Sequence, residues 1–420
     1  MGTLEVCALA PLLRFGGFDP PLVVVGVTHP QTCLVLRGRL RALRRAGLRV
    51  VLISAPGTLA TEIAADEGVE HLGIPMKRGI SPLADLVSVC RLYGALRRLR
   101  PVLAEFSTPK AGLLGSIASF LCRIPVRIYL LRGLRLETAS GLQRRILEIS
   151  ERIAAACCHL VMCNSESLRS HALALGIAPQ RKLRIVGNGS SGGVDIGRFA
   201  PGIESAAVEA RAGLGIAGDV PVIGFVGRLT RDKGIPELLR AFEQVLKNFP
   251  QALLLLVGWF DDSEDALTPA QRGWIEAHPR ILYTGFVSEP APYYHAMDLL
   301  VLPTWREGFP NAVLEAAASA VPVVSTLVTG ARDAVLHDRT GLLVPPGDTQ
   351  ALADAIKQLL LAPAQRRQMG MAGRAWVEER FVHTRVQSLT VGLYRELIFN
   401  AAREPIPAMN GARDAAVAGD

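Results

Sequence analysis

A short basic segment in the second half of the sequence has the residue types that bind a diphosphate. It reads Gly227-Arg228-Leu229-Thr230-Arg231-Asp232-Lys233-Gly234 and joins a predicted strand (residues 221–227) to a predicted helix (residues 235–248). Glycines let the backbone approach a ligand, a helix start offers unpaired N–H groups, and Arg228 and Lys233 bring two cations. The spacing differs from that of a Walker A loop and of a GxGxxG fingerprint. The segment predicts a diphosphate site, with a solvated turn as the alternative.

A second segment, later in the chain, pairs two carboxylates. It reads Glu307-Gly308-Phe309-Pro310-Asn311-Ala312-Val313-Leu314-Glu315 and follows a predicted strand (residues 298–303). Carboxylates accept hydrogen bonds from the vicinal hydroxyls of sugars and riboses, and the start of the next predicted helix (residues 311–320) supplies N–H donors. The alternative is that Glu307 is a charge favoured by the helix dipole and Glu315 an ordinary helix carboxylate. Beside the basic segment, the pair predicts a ligand with both phosphates and hydroxyls.

The elements that would position these segments alternate between apolar strands and amphipathic helices. The predicted strands span residues 23–28, 49–54, 102–106, 126–131, 160–164, 183–187, 221–227, 252–258, 280–284, 298–303 and 321–326. Continuous apolar strands separated by helices indicate parallel sheets covered on both faces. The predicted fold is therefore α/β, with two doubly wound Rossmann-like domains facing each other across a cleft. Ligands of such sheets bind beyond the carboxyl ends of the strands, so the loops there should carry the chemistry.

The periodicity of the sequence also predicts where the domains divide. It fades over residues 195–218, where glycine, proline and alanine dominate, and then resumes. We predict one domain over residues 1–200 and a second over residues 201–384. A helix over residues 385–400 is expected to pack back across the domains, and residues 401–420 are expected to form a flexible tail.

Composition and charge exclude several classes of protein. Of the 420 residues, 50% are hydrophobic and 20% are charged, which excludes a wholly disordered chain. No run of about 18 uninterrupted apolar residues exists, so no membrane-spanning segment is expected. The seven cysteines form no CxxC pair, which argues against a zinc site or disulfide framework and favours the cytosol. Residues 1–200 carry a net charge of +13 and residues 201–420 one of −5, so the first half should meet an anionic partner.

Taken together, these motifs resemble the GT4 family of retaining glycosyltransferases. The resemblance rests on GRxxxKG, on the two glutamates eight residues apart, and on two continuations of the second half. Those continuations are Thr329-Gly330-Ala331-Arg332-Asp333 and Thr340-Gly341-Leu342-Leu343-Val344. In the first half, Ser107-Thr108-Pro109-Lys110-Ala111-Gly112 and residues 187–195 resemble the branch that builds capsule, exopolysaccharide or O-antigen on polyprenyl-diphosphate carriers. The similarity runs from about residue 22 to residue 398.

The resemblance implies a GT-B fold with the donor nucleotide in the second domain and the acceptor against the first. Arg228 and Lys233 would bind the donor diphosphate, Glu315 the ribose, and Glu307 the hydroxyls of the donor sugar. Arg228, Lys233 and Glu307 would act nearest the bond that breaks, and they belong to a set of nine donor-site residues. The nine are Arg228, Lys233, Gly227, Glu307, Gly308, Phe309, Pro310, Asn311 and Glu315. Many relatives carry His-x-His where this chain has Glu105-Phe106-Ser107, so no catalytic base is assigned there.

On the acceptor side, four residues are candidates for binding an anionic acceptor, and all but Arg78 lie at predicted strand ends. His29 follows the first strand, with local capping as its alternative role. Lys110, Arg132 and Arg78 could contact an acceptor diphosphate, with surface ion pairs as the alternative. The acidic run over residues 261–265 is interpreted as a solvated loop, and no metal or cofactor is expected beyond the nucleotide-sugar substrate.

Basic amphipathic helices in the first half predict a peripheral position on an anionic membrane surface, at the cytoplasmic face. They carry Arg37, Arg39, Arg41, Arg44 and Arg45 in one helix and Arg91, Arg97, Arg98 and Arg100 in another. Nucleic acid is not expected as a partner, because no binding module is recognised and aromatic residues are few. The predicted function is transfer of a sugar from a nucleotide diphosphate, expected to be UDP, to a polyprenyl-diphosphate-linked saccharide. The alternatives are a transferase with a soluble acceptor, a sugar-nucleotide epimerase and a non-enzymatic nucleotide-binding protein.

Overall fold

The computed structural model describes residues 19–77, 79, 81–201 and 204–403. Arg78 and residues 404–420 of the predicted tail lie outside the described residues. The strands are β1 (Leu22–Gly26), β2 (Arg49–Ser54), β3 (Glu70–Gly73), β4 (Leu103–Ser107), β5 (Val126–Leu131), β6 (Leu160–Cys163), β7 (Leu183–Ile185), β8 (Val222–Val226), β9 (Leu253–Val257), β10 (Ile281–Tyr283), β11 (Leu299–Leu302), β12 (Val323–Thr326) and β13 (Gly341–Val344).

The helices lie between these strands and at the end of the described chain. They are α1 (Arg39–Arg45), α2 (Thr58–Glu67), α3 (Pro82–Leu99), α4 (Pro109–Leu121), α5 (Gly141–Cys157), α6 (Glu166–Ala174), α7 (Glu204–Gly213), α8 (Ile235–Leu246), α9 (Pro269–Ala277), α10 (Ala291–Ala296), α11 (Asn311–Ala318), α12 (Ala331–Ala334), α13 (Thr349–Leu361), α14 (Pro363–Arg380) and α15 (His383–Arg403). Short 3₁₀ helices span Pro30–Leu36, Arg135–Glu137 and Gln180–Lys182.

The strands form two parallel sheets, each the centre of one domain. The first domain is built on a seven-stranded sheet in the order β3-β2-β1-β4-β5-β6-β7. The second is built on a six-stranded sheet in the order β10-β9-β8-β11-β12-β13. In each sheet the order reverses once, between β1 and β4 and between β8 and β11, which is the doubly wound pattern of nucleotide-binding domains. The predicted fold class is confirmed.

Apolar residues cover both faces of the strands, as parallel strands between two helical layers require. In β1, Val23 and Val25 are fully buried in one core cluster, while Leu22 and Val24 face a different cluster across the sheet. In the second domain one continuous cluster includes all of the buried hydrophobic residues of β8 and the inner faces of α8 and α11. The strands are therefore rigid supports for the loops at their carboxyl ends.

Helix α15 returns from the second domain to pack on the first. Tyr394 of α15 is fully buried in the same cluster as Val23 and Val25. At its start, the backbone N–H of Val194 donates to the carbonyl of Phe381, and that of His383 donates to the carbonyl of Val194. The division into domains at residue 200 stays a prediction, since it adjoins residues 202–203, outside the described part of the chain.

The first predicted basic helix differs from the structure. Residues 34–46 divide between the 3₁₀ helix Pro30–Leu36 and α1, because Gly38 takes a left-handed backbone angle (φ 75°) that interrupts the helical path. Arg39 is buried, and Arg41 lies 3.5 Å from Glu67. The arginines of α1 therefore do not form one free basic face. None of the described helices is both long and apolar enough to cross a bilayer.

Candidate functional site

The two segments singled out by chemistry meet at the switch point of the second sheet. Residues 227–234 follow β8, and residues 303–310 follow the neighbouring strand β11. The corresponding position in the first sheet is occupied by the loop after β1, which carries His29, and by the start of α4 after β4, which carries Lys110. Because crevices of doubly wound sheets open at these points, this edge of each domain is where a ligand is expected.

Gly234 explains how the two loops of the second domain come together. It has φ 74°, and a Cβ placed on it would lie 1.9 Å from the carbonyl oxygen of Pro303. Only glycine therefore allows α8 to start against the end of β11. This contact brings Lys233 beside Glu307, and the ammonium group donates a hydrogen bond to Glu307 Oε1. The two side chains are 17% and 13% exposed, so the ion pair is partly shielded from water.

Arg228 is held by a second set of carboxylates. Its Nη1 donates to Asp261 Oδ2 at 2.7 Å, and its Nη2 lies 3.9 Å from Asp232 Oδ2. Burial by itself lowers the pKa of Arg228, but these two carboxylates outweigh it and raise the pKa above its ordinary value. With Lys233 beside it, Arg228 gives the loop two fixed positive charges, each matched by carboxylates that a bound diphosphate could replace.

Asp232 holds this loop in place through its hydrogen bonds. The sequence analysis assigned it no role beyond membership of the basic segment. Its carboxylate is almost fully buried and accepts from Thr230 Oγ1 at 2.6 Å and from Arg306 Nη2 at 2.8 Å. Burial raises the pKa of Asp232, but the charges of Arg306 and Lys233 outweigh this and leave the pKa below its ordinary value. Asp232 therefore stays ionised and connects the loop after β8 with the loop after β11.

Glu315 lies in the second turn of α11 and contacts a different group. Its Oε2 accepts a 2.7 Å hydrogen bond from the hydroxyl of Tyr294 in α10. Burial raises the pKa of Glu315 above its ordinary value, and the Tyr294 hydrogen bond partly offsets that rise. The hydroxyl fixes the orientation of the carboxylate and leaves its other oxygen as an acceptor for a ligand.

Gly308 is one of the points at which the two domains touch. A Cβ on Gly308 would lie 1.9 Å from the carbonyl oxygen of Arg132, at the end of β5 in the first domain. Its own carbonyl carbon would be 2.6 Å from a Cβ on Gly330, so the loop is confined from both sides. Phe309 packs on Phe381 with ring centroids 5.1 Å apart and anchors the loop in the second core. Pro310 and Asn311 then start α11.

Other interdomain contacts surround Gly308. Ser167 of the first domain donates its hydroxyl to Asp333, and Gly330 N donates to Ser167 Oγ at 2.8 Å. Arg306 Nε donates to Thr138 Oγ1 at 3.1 Å. The structure is thus closed at the cleft. The sequence analysis missed these partners, because hydrogen bonds between distant segments leave no spacing signal within either segment.

Replacing Gly308 with alanine is expected to lower kcat of the transfer reaction that the motifs predict roughly 10²-fold, because the added methyl group forces the Arg132 backbone away and misplaces the facing domain. Steady-state kinetics with saturating donor and acceptor measure the loss. Gly273→Ala is the control, since a Cβ at Gly273 meets nothing within 4 Å. A kcat equal to that of the parent chain would contradict this role of the contact.

The acceptor-side candidates lie in different surroundings. His29 caps the 3₁₀ helix Pro30–Leu36, accepting from Gln31 N at its ring nitrogen. Lys110 forms a 2.6 Å ion pair with Asp85. Arg132 differs from both: its Nε donates to Ser107 Oγ, while its Nη2 is buried without a hydrogen-bond partner in the described residues. Burial, reinforced by the charge of Arg39, lowers the pKa of Arg132 to about 10.

Glu105 stands where the sequence departs from the His-x-His of the family that it resembles. Its side chain lies in the protein interior. It is fully buried, forms an ion pair with Arg39 of α1 and accepts a hydrogen bond from the hydroxyl of Tyr394. Arg39 Nη2 also donates to that hydroxyl at 2.7 Å. Glu105 therefore connects β4, α1 and α15.

The acidic run after β9 binds arginines. Asp261 holds Arg228, Asp262 lies 2.9 Å from Arg272, and Asp265 lies 3.4 Å from Arg306. Among the described residues, no group of three or more histidine, cysteine or carboxylate side chains is placed to hold a metal ion. Asp261 is buried and supports the basic loop, while Asp262 and Glu264 are exposed, as expected of a solvated loop.

Two family models match this chain and together cover most of it. The model described as "Glycosyl transferase 4-like domain" matches residues 35–189, and that described as "Glycosyl transferases group 1" matches residues 220–362. The first match lies in the domain of the seven-stranded sheet and the second in that of the six-stranded sheet.

Named relatives extend the comparison. The chain is 34% identical over 355 residues to the capsular polysaccharide biosynthesis glycosyltransferase CapM of Staphylococcus aureus, covering 84% of this chain and 92% of that one. It is 25% identical over 296 residues to the Escherichia coli UDP-Gal:alpha-D-GlcNAc-diphosphoundecaprenol alpha-1,3-galactosyltransferase, covering 69% and 75%. The solved structure of Anabaena Alr3699/HepE in complex with UDP superposes with a TM-score of 0.70 at 21% identity, over 89% of this chain and 99% of that one.

Proposed function

Because this chain belongs to the GT4 family of glycosyltransferases with the GT-B fold, we propose that it transfers a sugar from UDP to a saccharide carried on a polyprenyl diphosphate. The family and the class of enzyme confirm the expectation from the motifs. The nucleotide, the acceptor and the stereochemical course are the proposal. The proposed setting is polysaccharide synthesis at the cytoplasmic face of the membrane.

The observation that carries the donor assignment is the Lys233–Glu307 ion pair beside Arg228. Two cations lie at the switch point of the second sheet, next to the N-terminus of α8. A diphosphate bound there would take over Lys233 as its partner. This exchange would release Glu307, whose carboxylate could then accept hydrogen bonds from the hydroxyls of the donor sugar. Replacement of Glu307 by the diphosphate as the partner of Lys233 thus accounts for both predicted roles, diphosphate binding by Lys233 and sugar binding by Glu307.

The reaction needs stabilisation of the leaving diphosphate. As the bond between the anomeric carbon and the β-phosphate oxygen breaks, negative charge grows on that oxygen, and Arg228, Lys233 and the helix N–H groups lie pre-aimed at it. We propose that the acceptor hydroxyl attacks from the face that the phosphate leaves, so that the configuration is retained. Its oxygen bonds to the anomeric carbon and its proton passes to the leaving phosphate, releasing UDP. The closed cleft around Gly308 limits access of water to the donor.

The proposed acceptor chemistry rests on the first domain. Arg132 Nη2 is a buried donor without a hydrogen-bond partner among the described residues, at the strand end that touches Gly308. Such a group suits an anionic ligand entering the cleft opposite the donor. Lys110 could join it by leaving Asp85. The name of the Escherichia coli relative specifies both a UDP donor and a diphosphoundecaprenol acceptor, which supports the same pair of substrates here.

A screen of nucleotide sugars with a detergent-solubilised membrane extract tests the proposal. Released nucleoside diphosphate and radiolabelled lipid are measured together, and we expect both to appear with one UDP-sugar. Label in a water-soluble product alone would favour a soluble acceptor. Conversion of the donor to another nucleotide sugar without acceptor would favour an epimerase, and tight UDP binding without turnover of any donor would favour a non-enzymatic protein.

Replacing Glu315 with alanine is expected to weaken UDP binding roughly tenfold, about 1.4 kcal/mol, because a charged hydrogen-bond acceptor for the ribose is lost. Isothermal titration with UDP measures the change. Tyr294→Phe, which keeps the carboxylate and removes only its hydroxyl partner, should weaken binding less. Equal UDP affinity in Glu315→Ala and the parent chain would remove the ribose role.

A further inference from the structure

The outer face of the first domain carries an unusual concentration of exposed apolar residues. Helices α3, α4 and α5 pack side by side against that domain's sheet, α4 between the other two. Of the nineteen large hydrophobic side chains that are exposed in the described residues, ten lie on these three helices. Scattered exposed apolar residues are ordinary, whereas a contiguous group marks a surface that meets an apolar partner.

On α5 the exposed residues form one stripe. Leu142, Ile146, Ile149 and Ile153 are 74%, 38%, 55% and 42% exposed, and their spacing puts them on one side of the helix. The opposite side of α5 packs inward through Leu147, Ala154 and Ala155, which join a core cluster of the first domain. The helix is therefore apolar on both sides, which a helix facing only water does not require.

Helix α3 adds a second stripe beside the first. Leu83, Leu86 and Tyr93 are exposed at positions three and seven residues apart. At the far end of α4, Phe120 and Leu121 are also about half exposed. We call this combined outer face of α3, α4 and α5 the apolar face.

Positive charge surrounds the apolar face. Five arginines on these helices are exposed: Arg91, Arg97, Arg98, Arg145 and Arg152. The carboxylates of the same helices are occupied, since Asp85 pairs with Lys110, Glu148 with Arg152, and Glu151 is buried. An apolar stripe bordered by arginines matches the acyl chains and phosphates of an anionic lipid surface.

A groove at the edge of this face adds a place for one headgroup. It lies between β3 and α3, has a volume of about 430 Å³ and is lined by Leu72, Ile74, Arg91, Gly94 and Arg98 among others. Gly94 leaves open space between the two arginines, because a Cβ there would meet nothing within 4 Å. Neither guanidinium has a carboxylate within 4 Å in the described residues, so both are available to a phosphate.

We propose that the apolar face docks on an anionic bilayer, with Arg91 and Arg98 holding a lipid phosphate. A second copy of this chain fits less well, because a twofold contact repeats the same arginine-rich surface on both partners and brings no additional carboxylates to pair with Arg91 and Arg98. Helices α3, α4 and α5 each start beyond the carboxyl end of a strand, so the face adjoins the cleft. This inference rests on the proposed lipid-linked acceptor, which would then enter the cleft from the membrane.

Vesicle co-sedimentation of the full chain tests the docking. The probes are vesicles of phosphatidylcholine alone and vesicles of equal parts phosphatidylcholine and phosphatidylglycerol. Arg91→Gln/Arg98→Gln is expected to bind the anionic vesicles about 30-fold more weakly, since each cation near such a surface contributes about 1 kcal/mol. Leu142→Ser/Ile149→Ser should weaken binding at least as much. The control, Arg181→Gln/Arg367→Gln, removes the same charge elsewhere and should bind like the parent chain.

Several results would overturn the docking. They are binding of the parent chain to neither vesicle, equal binding to both, or unchanged binding of both face variants. A dimer that Leu142→Ser/Ile149→Ser converts to a monomer in light scattering would assign the face to self-association. Transfer to a detergent-solubilised acceptor separates the two proposals. The face variants should keep that activity, and if the parent chain lacks it while binding anionic vesicles, the proposed function fails and the docking stands.

Discussion

Replacing Lys233 with alanine is expected to lower the rate of sugar transfer about 10²–10³-fold, a loss of roughly 2–4 kcal/mol of transition-state stabilisation. The ammonium group stands at the switch point of the second sheet and holds Glu307 in the absence of donor. Its removal costs twice: the leaving diphosphate loses a cation, and Glu307 stays as an unpaired negative charge beside it. Pre-steady-state or steady-state release of UDP measures the loss.

Two further variants separate these contributions. Lys233→Ala/Glu307→Gln removes the unpaired charge as well, so it should recover part of the UDP affinity without recovering the rate. Lys247→Ala, which removes an exposed lysine in the same domain, is the control for net charge. Full transfer activity in Lys233→Ala, with the melting temperature unchanged, would contradict the assignment of the diphosphate site.

Arg228→Ala should reduce the rate in the same direction, but its structural consequences differ. Arg228 neutralises the almost fully buried Asp261, so part of its loss is expected to appear as a lower melting temperature. Lys233 is therefore the cleaner test of chemistry at this loop.

The regular alternation of apolar strands and amphipathic helices made the central strands of each sheet predictable from the sequence. The predicted strands over residues 49–54 and 126–131 agree with β2 and β5 residue for residue, because short, mostly apolar runs between helices are typical of buried parallel strands. The edge strand β3 was not predicted. Its residues Glu70–Gly73 are only partly buried, and an edge strand covered on one side needs no apolar run. β13 was noticed only as part of a family motif.

The position of the candidate site was predictable, but its partners were not. The loops that follow the strands of a doubly wound sheet lie at one edge of it. This rule alone predicts that Lys233 and Glu307 are close together. The contact of Gly308 with Arg132 depends on how two domains close, and no local pattern encodes that. Likewise, Arg306 shows its connections to Asp232 and Thr138 only in three dimensions.

The departure at Glu105 shows where sequence reasoning needs the structure. A carboxylate in place of a histidine at a strand end suggested only that a familiar base was absent. In the structure it is one member of a buried group with Arg39 and Tyr394, which fastens the C-terminal helix to the first core. This arrangement leads to the prediction with the largest expected effect on stability.

Replacing Arg39 with alanine is expected to destabilise the first domain by about 3–5 kcal/mol, because it leaves the carboxylate of Glu105 buried without its cation. Arg39 and Glu105 are 1% and 0% exposed, so water cannot replace the lost partner. Urea unfolding followed by circular dichroism measures the change, with the two domains fitted as separate transitions. The control is Arg41→Ala, whose side chain is 40% exposed. It should cost at most about 1 kcal/mol.

The double variant Arg39→Met/Glu105→Leu shows whether the stability lost in Arg39→Ala comes from the unpaired charge of Glu105 or from lost packing. Removing both charges while keeping the volume should restore much of the stability that Arg39→Ala loses, since an apolar pair of similar size carries no desolvation penalty. The Tyr394 hydroxyl would then lack both of its hydrogen-bond partners while it stays buried, so recovery should be incomplete. Two results would contradict this role of the buried ion pair in holding α15 to the first domain. One is an Arg39→Ala variant that is as stable as Arg41→Ala. The other is a double variant that is no more stable than Arg39→Ala.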